Sequence, residues 1–269
     1  LLWQGTMPWF PGLEYPLVPG YEAIGDVVEA PTGAAVRPGD RVFVGGANCY
    51  QGARGLFGAS ASRVVVPAEK LTPVDRAWGD NGILLALAAT AHHAIAPSPN
   101  TGPTLVVGHG TVGRLLTRQL MARGDPAPIV WEQAAERRDG DGSYVVGTAE
   151  SDTTKTYSTI YDASGDPAIL DTLVSRLAPG GEIVLAGFYA NPLSFSFPPA
   201  FMREARFRIA AEWKQPDMDA TLSAIRTGAL SLDGLISHQA SVKQANNAYE
   251  QAFNDPACLK MTLTWRASE

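Results

Sequence analysis

Cysteine, histidine and long hydrophobic runs are scarce in this sequence, and each scarcity excludes a class of protein. The two cysteines, Cys49 and Cys258, and the four histidines show no metal-ligand spacing, so neither a metal site nor a disulfide framework is predicted. Two reduced thiols are typical of a cytoplasmic protein. Since no run of about 18 uncharged apolar residues occurs, no membrane span is predicted.

Positive charge is also sparse. The 269 residues carry 21 Lys and Arg against 27 Asp and Glu, a net charge of −6, and the longest basic run is Arg137-Arg138. This pattern lacks the basic patch of a nucleic-acid-binding protein. With 45% hydrophobic and 18% charged residues, the composition is that of a folded globular chain with one or two domains.

The first third of the chain contains short β-rich runs at 18–29, 41–44 and 63–66, separated by glycine and proline turns. Runs of this kind predict a small β-barrel or sandwich. The N-terminus has neither an initiator Met nor a signal peptide pattern, which predicts that the chain begins inside this domain.

From residue 80 the pattern changes to helices and alternating elements. An alanine-rich segment at 81–96 predicts a buried helix. The predicted strands that follow are 104–107, 129–131, 144–146, 159–162, 182–188 and 261–265, and the predicted helices include 112–123 and 167–177. Repeated βα units of this kind predict a doubly wound parallel sheet.

A G-x-G-x-x-G fingerprint occupies residues 108–113, directly after a predicted strand and at the start of a predicted helix. In this context Gly108 allows a tight turn, Gly110 lets a pyrophosphate approach the backbone, and Gly113 lets the helix pack on the strand. The loop residues Thr111 and Val112 begin the helix whose N-terminus attracts phosphate. We expect the side chain of His109 to point outward.

Glu132 follows the next predicted strand, 19 residues after Gly113. An acid at this position accepts hydrogen bonds from the adenosine ribose and repels a 2′-phosphate, so NAD is the predicted cofactor. NADP is the alternative if Arg137 or Arg138 faces the ribose instead. The simpler alternative is a glycine turn followed by a solvated glutamate.

Several segments together resemble the medium-chain dehydrogenase/reductase superfamily. They are residues 20–28 (GYEAIGDVV), 38–42 (PGDRV), 89–93 (ATAHH), 162–165 (DASG) and 177–184 (LAPGGEIV). The resemblance implies an α/β fold, with a Rossmann doubly wound parallel sheet at 97–214. It further implies a GroES-like β-barrel catalytic domain at 1–96 and 215–269 that lacks its first strands.

Residues 17–22 (LVPGYE), 54–58 (RGLFG) and 85–94 (LALAATAHHA) resemble one group within that superfamily. This group uses NAD to oxidise the 1-hydroxyethyl side chain of a bacteriochlorophyllide to acetyl, which implies a tetrapyrrole substrate. The zinc-dependent members have a histidine ligand at the position of Tyr21 and a further ligand at Ala86. Both departures predict chemistry without zinc.

Without zinc, a side chain must remove the hydroxyl proton during alcohol oxidation. His92 and His93 are the candidate bases because histidine titrates near neutral pH, and helical geometry lets at most one face the cofactor. The resemblance places Thr90 beside the nicotinamide, and Tyr21 is the candidate for orienting the substrate oxygen. A structural role for each of these residues is the alternative.

Two further sets of residues complete the predicted site. Ser164, Gly165, Gly187 and Phe188 follow two predicted strands, where ligands bind in open α/β sheets. The candidate aromatic and apolar walls for a flat ring are Trp3, Trp9, Phe10, Tyr15, Leu56 and Phe57. Ordinary barrel core is the alternative for this second set.

Three predictions concern the function as a whole. A zinc-independent quinone or enone reductase of the same superfamily and a non-catalytic NAD-binding protein are the alternatives to the dehydrogenase. Preference for NADPH would favour the first, and cofactor binding without turnover would favour the second. The superfamily resemblance implies a homodimer, in which the predicted strand at 206–213 pairs across a twofold axis.

Overall fold

The structure is a computed structural model that describes residues 2–7, 11, 13–98, 102–140 and 142–265. The chain packs as two compact units. One unit comprises Leu1–Ala86, Gln239–Ala248 and Thr262–Glu269, and the other comprises Leu87–His238 and Tyr249–Met261. Residues 215–238 therefore pack with the second unit. The assignment of a catalytic domain to 1–96 and 215–269, and of a cofactor domain to 97–214, stays a prediction.

Short strands build the first unit. In chain order they are β1 (Leu17–Pro19), β2 (Ala23–Asp26), β3 (Arg41–Val44), β4 (Arg54–Leu56) and β5 (Leu71–Pro73). β3 pairs antiparallel with both β2 and β5, and β1 pairs parallel with β4. The buried valines of β3 face Val36 and Ala59 in a small apolar core, which agrees with the predicted β-rich domain.

The predicted strand at 63–66 is wrong, because this segment joins no sheet in the described part of the chain. Val64 and Val66 pack against the β3 core, whereas Val65 is 78% exposed. The alternation of apolar residues is thus real, but it reflects side-chain packing without a hydrogen-bonded ladder.

The predicted helix at 81–96 consists of two helical types. A 3₁₀ helix at Arg76–Leu84 is kinked at Gly79, whose φ is 54°, and α1 (Leu85–Ile95) follows it. Small residues let α1 pack closely over most of its surface, and Ala88, Ala91 and Ala94 are fully buried.

Alternating strands and helices form the rest of the chain. They are β6 (Thr104–Val107), α2 (Thr111–Ala122), β7 (Ile129–Trp131), β8 (Val145–Gly147), β9 (Tyr157–Asp162), α3 (Leu170–Arg176), β10 (Leu177–Leu185), α4 (Phe197–Met202), β11 (Arg206–Ile209), α5 (Gln215–Arg226), β12 (His238–Ser241), α6 (Ala245–Asn254) and β13 (Met261–Thr264). None of the helices in the described residues is long and apolar enough to cross a membrane.

The second unit contains a parallel sheet that has six strands in its described part, in the order β11-β10-β9-β6-β7-β8. This is the strand order of a dinucleotide-binding Rossmann sheet. The order reverses between β6 and β9, whose last residues, Val107 and Asp162, are paired. Ligands of open α/β sheets bind at this reversal, at the carboxyl ends of the strands.

The last βα unit of the sheet departs from its predicted bounds. The helix predicted at 167–177 is limited to α3, and β10 begins at Leu177 rather than at Glu182. The register with β9 shifts between Leu177 and Glu182, so the Pro-Gly-Gly segment between them is a β-irregularity. Leu173 and Val174 of α3 are fully buried in the core of the sheet.

Candidate functional site

The glycine loop joins β6 to α2 as predicted. At two of its positions neighbouring backbone atoms come so close that only glycine fits. Gly108 has a φ of +90°, and a Cβ built there would lie 3.0 Å from the carbonyl oxygen of Ala163. A Cβ at Gly113 would overlap the carbonyl oxygen of Gly108. These contacts hold the loop tight against the ends of β6 and β9.

The outer face of the loop is open. A Cβ built on Gly110 would have Arg137 Nη1 as its nearest heavy atom, at 3.8 Å. Gly110 is also the N-cap of α2 and supplies no capping side chain, so the first-turn N–H groups are available to a phosphate. Thr111 donates its hydroxyl to the carbonyl of Leu259 at 2.8 Å, and Val112 is half-buried. The loop therefore fits a dinucleotide pyrophosphate.

Glu132 stands one residue beyond β7, beside this loop. One carboxylate oxygen accepts the backbone N–H of His109 at 2.8 Å, and the other accepts that of Ala134 at 2.8 Å. Since each oxygen has a second lone pair, the half-buried carboxylate can still accept a ribose hydroxyl.

Both arginines of the following turn use backbone carbonyls as acceptors. Arg138 donates to the carbonyls of Glu132 and Gln133, at 2.9 and 2.5 Å. Arg137 donates to those of Pro256 and Cys258, at 2.5 and 3.3 Å. These bonds restrain both guanidinium groups, one around the Glu132 backbone and the other beside the glycine loop.

The outward orientation expected for His109 is wrong. This residue is fully buried. Its Nδ1 lies 2.6 Å from the carbonyl oxygen of Arg137, and its Nε2 lies 2.8 Å from the hydroxyl of Tyr144. The physical reason is that the turn after β7 and the segment before β8 fold over the loop and offer the ring polar partners.

Asp162, the last residue of β9, is a buried site residue that the sequence analysis missed. Its carboxylate accepts Ser164 N–H and Ser164 O–H, at 2.9 and 2.6 Å, and the Tyr189 hydroxyl at 2.8 Å. Burial, the largest influence, raises the pKa of Asp162, while these hydrogen bonds act to lower it. The acid at the end of a strand, in the segment DASG, was the available signal.

The Asp162 network holds together the turns after β9 and β10. A Cβ at Gly187 would lie 3.1 Å from the backbone nitrogen of Gly165, and Phe188 is 61% exposed. The predicted residues Ser164, Gly165, Gly187 and Phe188 therefore lie together, on the other side of β6 from Glu132.

Helix α1 carries the residues predicted to serve the reaction. His93 Nδ1 lies 2.9 Å from Asp217 Oδ2, and the same carboxylate oxygen accepts the Lys214 N–H at the start of α5. Thr90 and His92 are half-buried on the same helix. Asp217 is a partner that sequence reasoning did not find.

Tyr21 belongs to the first unit. Its ring meets that of Phe57 edge-on, with centroids 5.4 Å apart. Burial, followed by the charge of Glu22, raises the pKa of Tyr21 to about 12, although 41% of the residue surface is accessible. Its hydroxyl is therefore a hydrogen-bond donor at neutral pH.

The aromatic and apolar residues predicted to line the site of a flat ring differ in their exposure. Tyr15 is 60% exposed and Phe57 39% exposed, whereas Leu56 is buried in β4. Trp3 is exposed, and the Tyr15 hydroxyl lies 3.4 Å from the carbonyl of Leu2. Trp9 and Phe10 lie outside the described residues.

The described residues contain no group of three or more His, Cys, Asp or Glu side chains arranged to hold a metal ion. Ala86, at the position of a zinc ligand in zinc-dependent members, is buried in α1.

Comparison with known proteins agrees with the fold. Residues 1–76 match the alcohol dehydrogenase GroES-like domain family. A dehydrogenase from Sinorhizobium meliloti 1021 bound to NADP superposes with a TM-score of 0.76 at 17% identity, covering 97% of this chain and 86% of that one. An alcohol dehydrogenase from E. coli CFT073 complexed with NADH gives 0.77 at 19% identity, covering 94% and 85%.

The GroES-like match and the Rossmann sheet with its glycine loop define a medium-chain dehydrogenase/reductase. A protein from Rhodobacter capsulatus, named 2-desacetyl-2-hydroxyethyl bacteriochlorophyllide A dehydrogenase, is 54% identical over 267 residues, 99% of this chain and 85% of the relative. The chain belongs to the family of bacteriochlorophyllide a dehydrogenases.

Proposed function

We propose that this chain is an NAD-dependent alcohol dehydrogenase that oxidises the 1-hydroxyethyl side chain of a bacteriochlorophyllide to acetyl without zinc, in bacteriochlorophyll biosynthesis. The observation that carries the proposal is the 54% identity to the Rhodobacter capsulatus dehydrogenase, which extends over 99% of the chain. Identity over that length includes both the GroES-like segment and the Rossmann sheet.

The glycine loop supports a nicotinamide dinucleotide as cofactor. Gly108, Gly110 and Gly113 leave the start of α2 open to the pyrophosphate, and Thr111 and Val112 continue this surface. We assign the nicotinamide half to the turns after β9 and β10, because ligands of open α/β sheets bind at the carboxyl ends of the strands. The residues of these turns are Ser164, Gly165, Gly187 and Phe188. When bound there, NAD would supply the hydride acceptor for oxidation of the carbinol carbon.

Glu132 supports NAD rather than NADP. The backbone N–H groups of His109 and Ala134 orient its carboxylate beside the glycine loop. A negative charge held there repels a 2′-phosphate. Because carbonyl oxygens restrain Arg137 and Arg138, we assign the ribose contact to Glu132.

The pairing of His93 with Asp217 supports His93 as the base that takes the hydroxyl proton. A carboxylate 2.9 Å from Nδ1 favours the tautomer with the proton on that nitrogen, which leaves Nε2 to accept the substrate proton. Asp217 also stabilises the imidazolium that forms, as in a catalytic His–Asp pair. His92 is the alternative base, and Thr90 is proposed to lie by the nicotinamide.

Tyr21 is proposed to bind the hydroxyl oxygen of the substrate. Because the pKa of Tyr21 is raised to about 12, its hydroxyl stays protonated at neutral pH, and we assign it to orient the substrate oxygen. The exposed aromatic surface of Tyr15, Phe57 and Trp3 has the chemistry to stack on a flat tetrapyrrole. We propose zinc independence from the side chains Tyr21 and Ala86 at the two ligand positions.

A spectral assay tests the function directly. The protein is mixed with NAD and 3-(1-hydroxyethyl)bacteriochlorophyllide a in metal-chelated buffer, and NADH absorbance and the pigment red shift are followed together. We expect both signals to rise in parallel. Turnover only after zinc is restored would refute zinc independence. Preference for NADPH would favour the quinone or enone reductase, and NADH binding without turnover would favour a non-catalytic protein.

Alanine variants of the adjacent residues His92 and His93 test which histidine is the general base. Since residues 92 and 93 point about 100° apart on α1, His93→Ala should lower kcat by about 10²-fold or more, the usual size of a general-base contribution. His92→Ala should stay close to wild type. The reverse result would transfer the base role to His92, and full activity in both variants would exclude a histidine base.

The sheet edge supports a homodimer. β11 is the edge strand of the parallel sheet, and Ile209 at its end is 78% exposed. Phe197, Phe201 and Met202 of the adjoining α4 are each at least 65% exposed. Pairing of two β11 strands across a twofold axis would give the backbone N–H and C=O groups of this edge hydrogen-bond partners, and it would cover these side chains. Light scattering after size exclusion should give twice the chain mass, and Ile209→Lys should lower it.

A further inference from the structure

Every polar atom of His109 in the glycine loop is hydrogen-bonded inside the second unit. Its backbone N–H donates to Glu132, and its carbonyl accepts the Arg114 guanidinium at 3.1 Å. Its ring contacts the Arg137 carbonyl and the Tyr144 hydroxyl. These bonds bury the ring between the glycine loop and the turn that follows β7.

The partners determine the state of the ring. A backbone carbonyl only accepts, so Nδ1 of His109 carries a proton and donates to Arg137. Nε2 is then the acceptor of the Tyr144 hydroxyl, whose ring stands edge-on at 5.5 Å. Burial, as the largest cause, lowers the pKa of His109, which agrees with a neutral ring.

The bonds of His109 connect the glycine loop to the turn that carries Glu132 and Arg137. Arg114 of α2 strengthens the same connection, because its Nη2 donates to the Arg137 carbonyl at 3.2 Å and to Asp139 at 2.7 Å. The loop, the turn and the start of α2 are thus one hydrogen-bonded body. Displacing the turn would move both the acid and the guanidinium away from the loop.

We propose that His109 is a positioning residue for the dinucleotide: its buried ring holds the turn of residues 132–139 in register with the glycine loop, so that Glu132 meets the adenosine half of the cofactor. This inference rests on the proposed function, since it concerns the same cofactor site. His109 acts through the turn and needs no contact with the reacting atoms, which lie at the nicotinamide end beyond β6.

The test is a comparison of cofactor affinity with catalysis. His109→Leu should raise the Kd for NADH, measured by fluorescence titration, about tenfold, the effect of losing one or two buried hydrogen bonds. In the same variant kcat at saturating NAD should change less than about twofold. His109→Asn keeps a donor near the Nδ1 position and should restore most of the affinity.

Ser98→Ala is the matched control, because Ser98 is a buried residue whose hydroxyl donates to Glu182 at 2.8 Å near the opposite end of the sheet. It should lower the thermal midpoint and leave the Kd for NADH unchanged. A wild-type Kd in folded His109→Leu would overturn the proposal. Should that variant not fold, a wild-type Kd in Tyr144→Phe, which removes the hydrogen bond to Nε2 of His109, would overturn it. Failure of the wild-type protein to bind NADH would instead refute the proposed function.

Discussion

Replacement of Asp162 tests how the end of the central strand organises the site. The Asp162 carboxylate is completely buried and accepts three hydrogen bonds, two from Ser164 and one from Tyr189. Asp162→Ala removes the acceptor for all three. Asp162→Asn has nearly the same volume and keeps one oxygen, so it separates loss of charge from loss of the network.

The expected magnitude follows from which donors can find water. Ser164 is exposed, so its N–H and O–H can be solvated when the carboxylate is removed. The Tyr189 hydroxyl is half-buried and loses a charged acceptor, which costs about 1–3 kcal/mol. With the cavity left by the side chain, Asp162→Ala should lower the free energy of unfolding by about 2–3 kcal/mol. Asp162→Asn should change it by less than about 1 kcal/mol.

The pH dependence has a definite sign. Burial holds the pKa of Asp162 above its ordinary value of 3.8, so between the two values the native state binds more protons than the unfolded state. Wild-type stability therefore decreases as pH rises from 3.8 through the raised pKa. Asp162→Asn lacks this titration, and the stability of wild type relative to Asp162→Asn should fall across the same window.

Urea denaturation of wild type and both variants, at several pH values, measures these differences, and KM for NAD reports on the site. Asp162→Ala should also raise KM for NAD, because the turns that carry Gly165 and Gly187 lose their shared anchor. If Asp162→Ala were as stable as wild type with an unchanged KM, the network would have no organising role. A wild-type advantage over Asp162→Asn that grows with pH would contradict the raised pKa.

Three further predictions concern the glycine loop, the acid and α1. Gly113→Ala should abolish NADH binding in fluorescence titrations, because the new Cβ would overlap the Gly108 carbonyl. Glu132→Gln should reduce the preference for NADH over NADPH about tenfold, measured as a ratio of Kd values. The reason is that the substitution removes the repulsion between the carboxylate and the 2′-phosphate of NADPH. Arg208→Ala should lower the free energy of unfolding by about 2 kcal/mol, because Arg208 donates to the Ala94 carbonyl of α1 at 2.6 Å.

Each of these predictions has a contradicting result. NADH binding by Gly113→Ala at wild-type affinity would mean that helix and strand need not approach so closely. An unchanged cofactor preference in Glu132→Gln would transfer discrimination to Arg137 or Arg138. Wild-type stability of Arg208→Ala would mean that the hydrogen bond to the Ala94 carbonyl does not stabilise the packing of α1.

The cofactor unit was predictable from the sequence because its signals are local. Predicted strands at 104–107 and 129–131 coincide with β6 and β7, and the glycine fingerprint lies between them. Backbone sterics alone require small residues at Gly108 and Gly113. The fold class, a Rossmann sheet with a GroES-like domain, is confirmed on this basis.

Boundaries were less predictable where packing competes with pattern. The alternating valines at 63–66 resemble a strand, yet they pack on the β3 core without a ladder partner in the described chain. Likewise Pro179 and Gly180 suggest the end of a helix, whereas β10 runs through them with a register shift. Pairing partners distant in sequence decide both outcomes.

The sequence by itself therefore determined the class of fold, the position of the glycine loop between β6 and α2 and the acid that follows β7. Only the tertiary structure decided which polar side chains meet. His109 finds Tyr144 across 35 residues, Asp162 finds Tyr189 across 27, and His93 finds Asp217 across 124. The physical reason is that a buried polar group takes its orientation from the partners that folding brings to it, and those partners leave no periodic trace beside it in the chain.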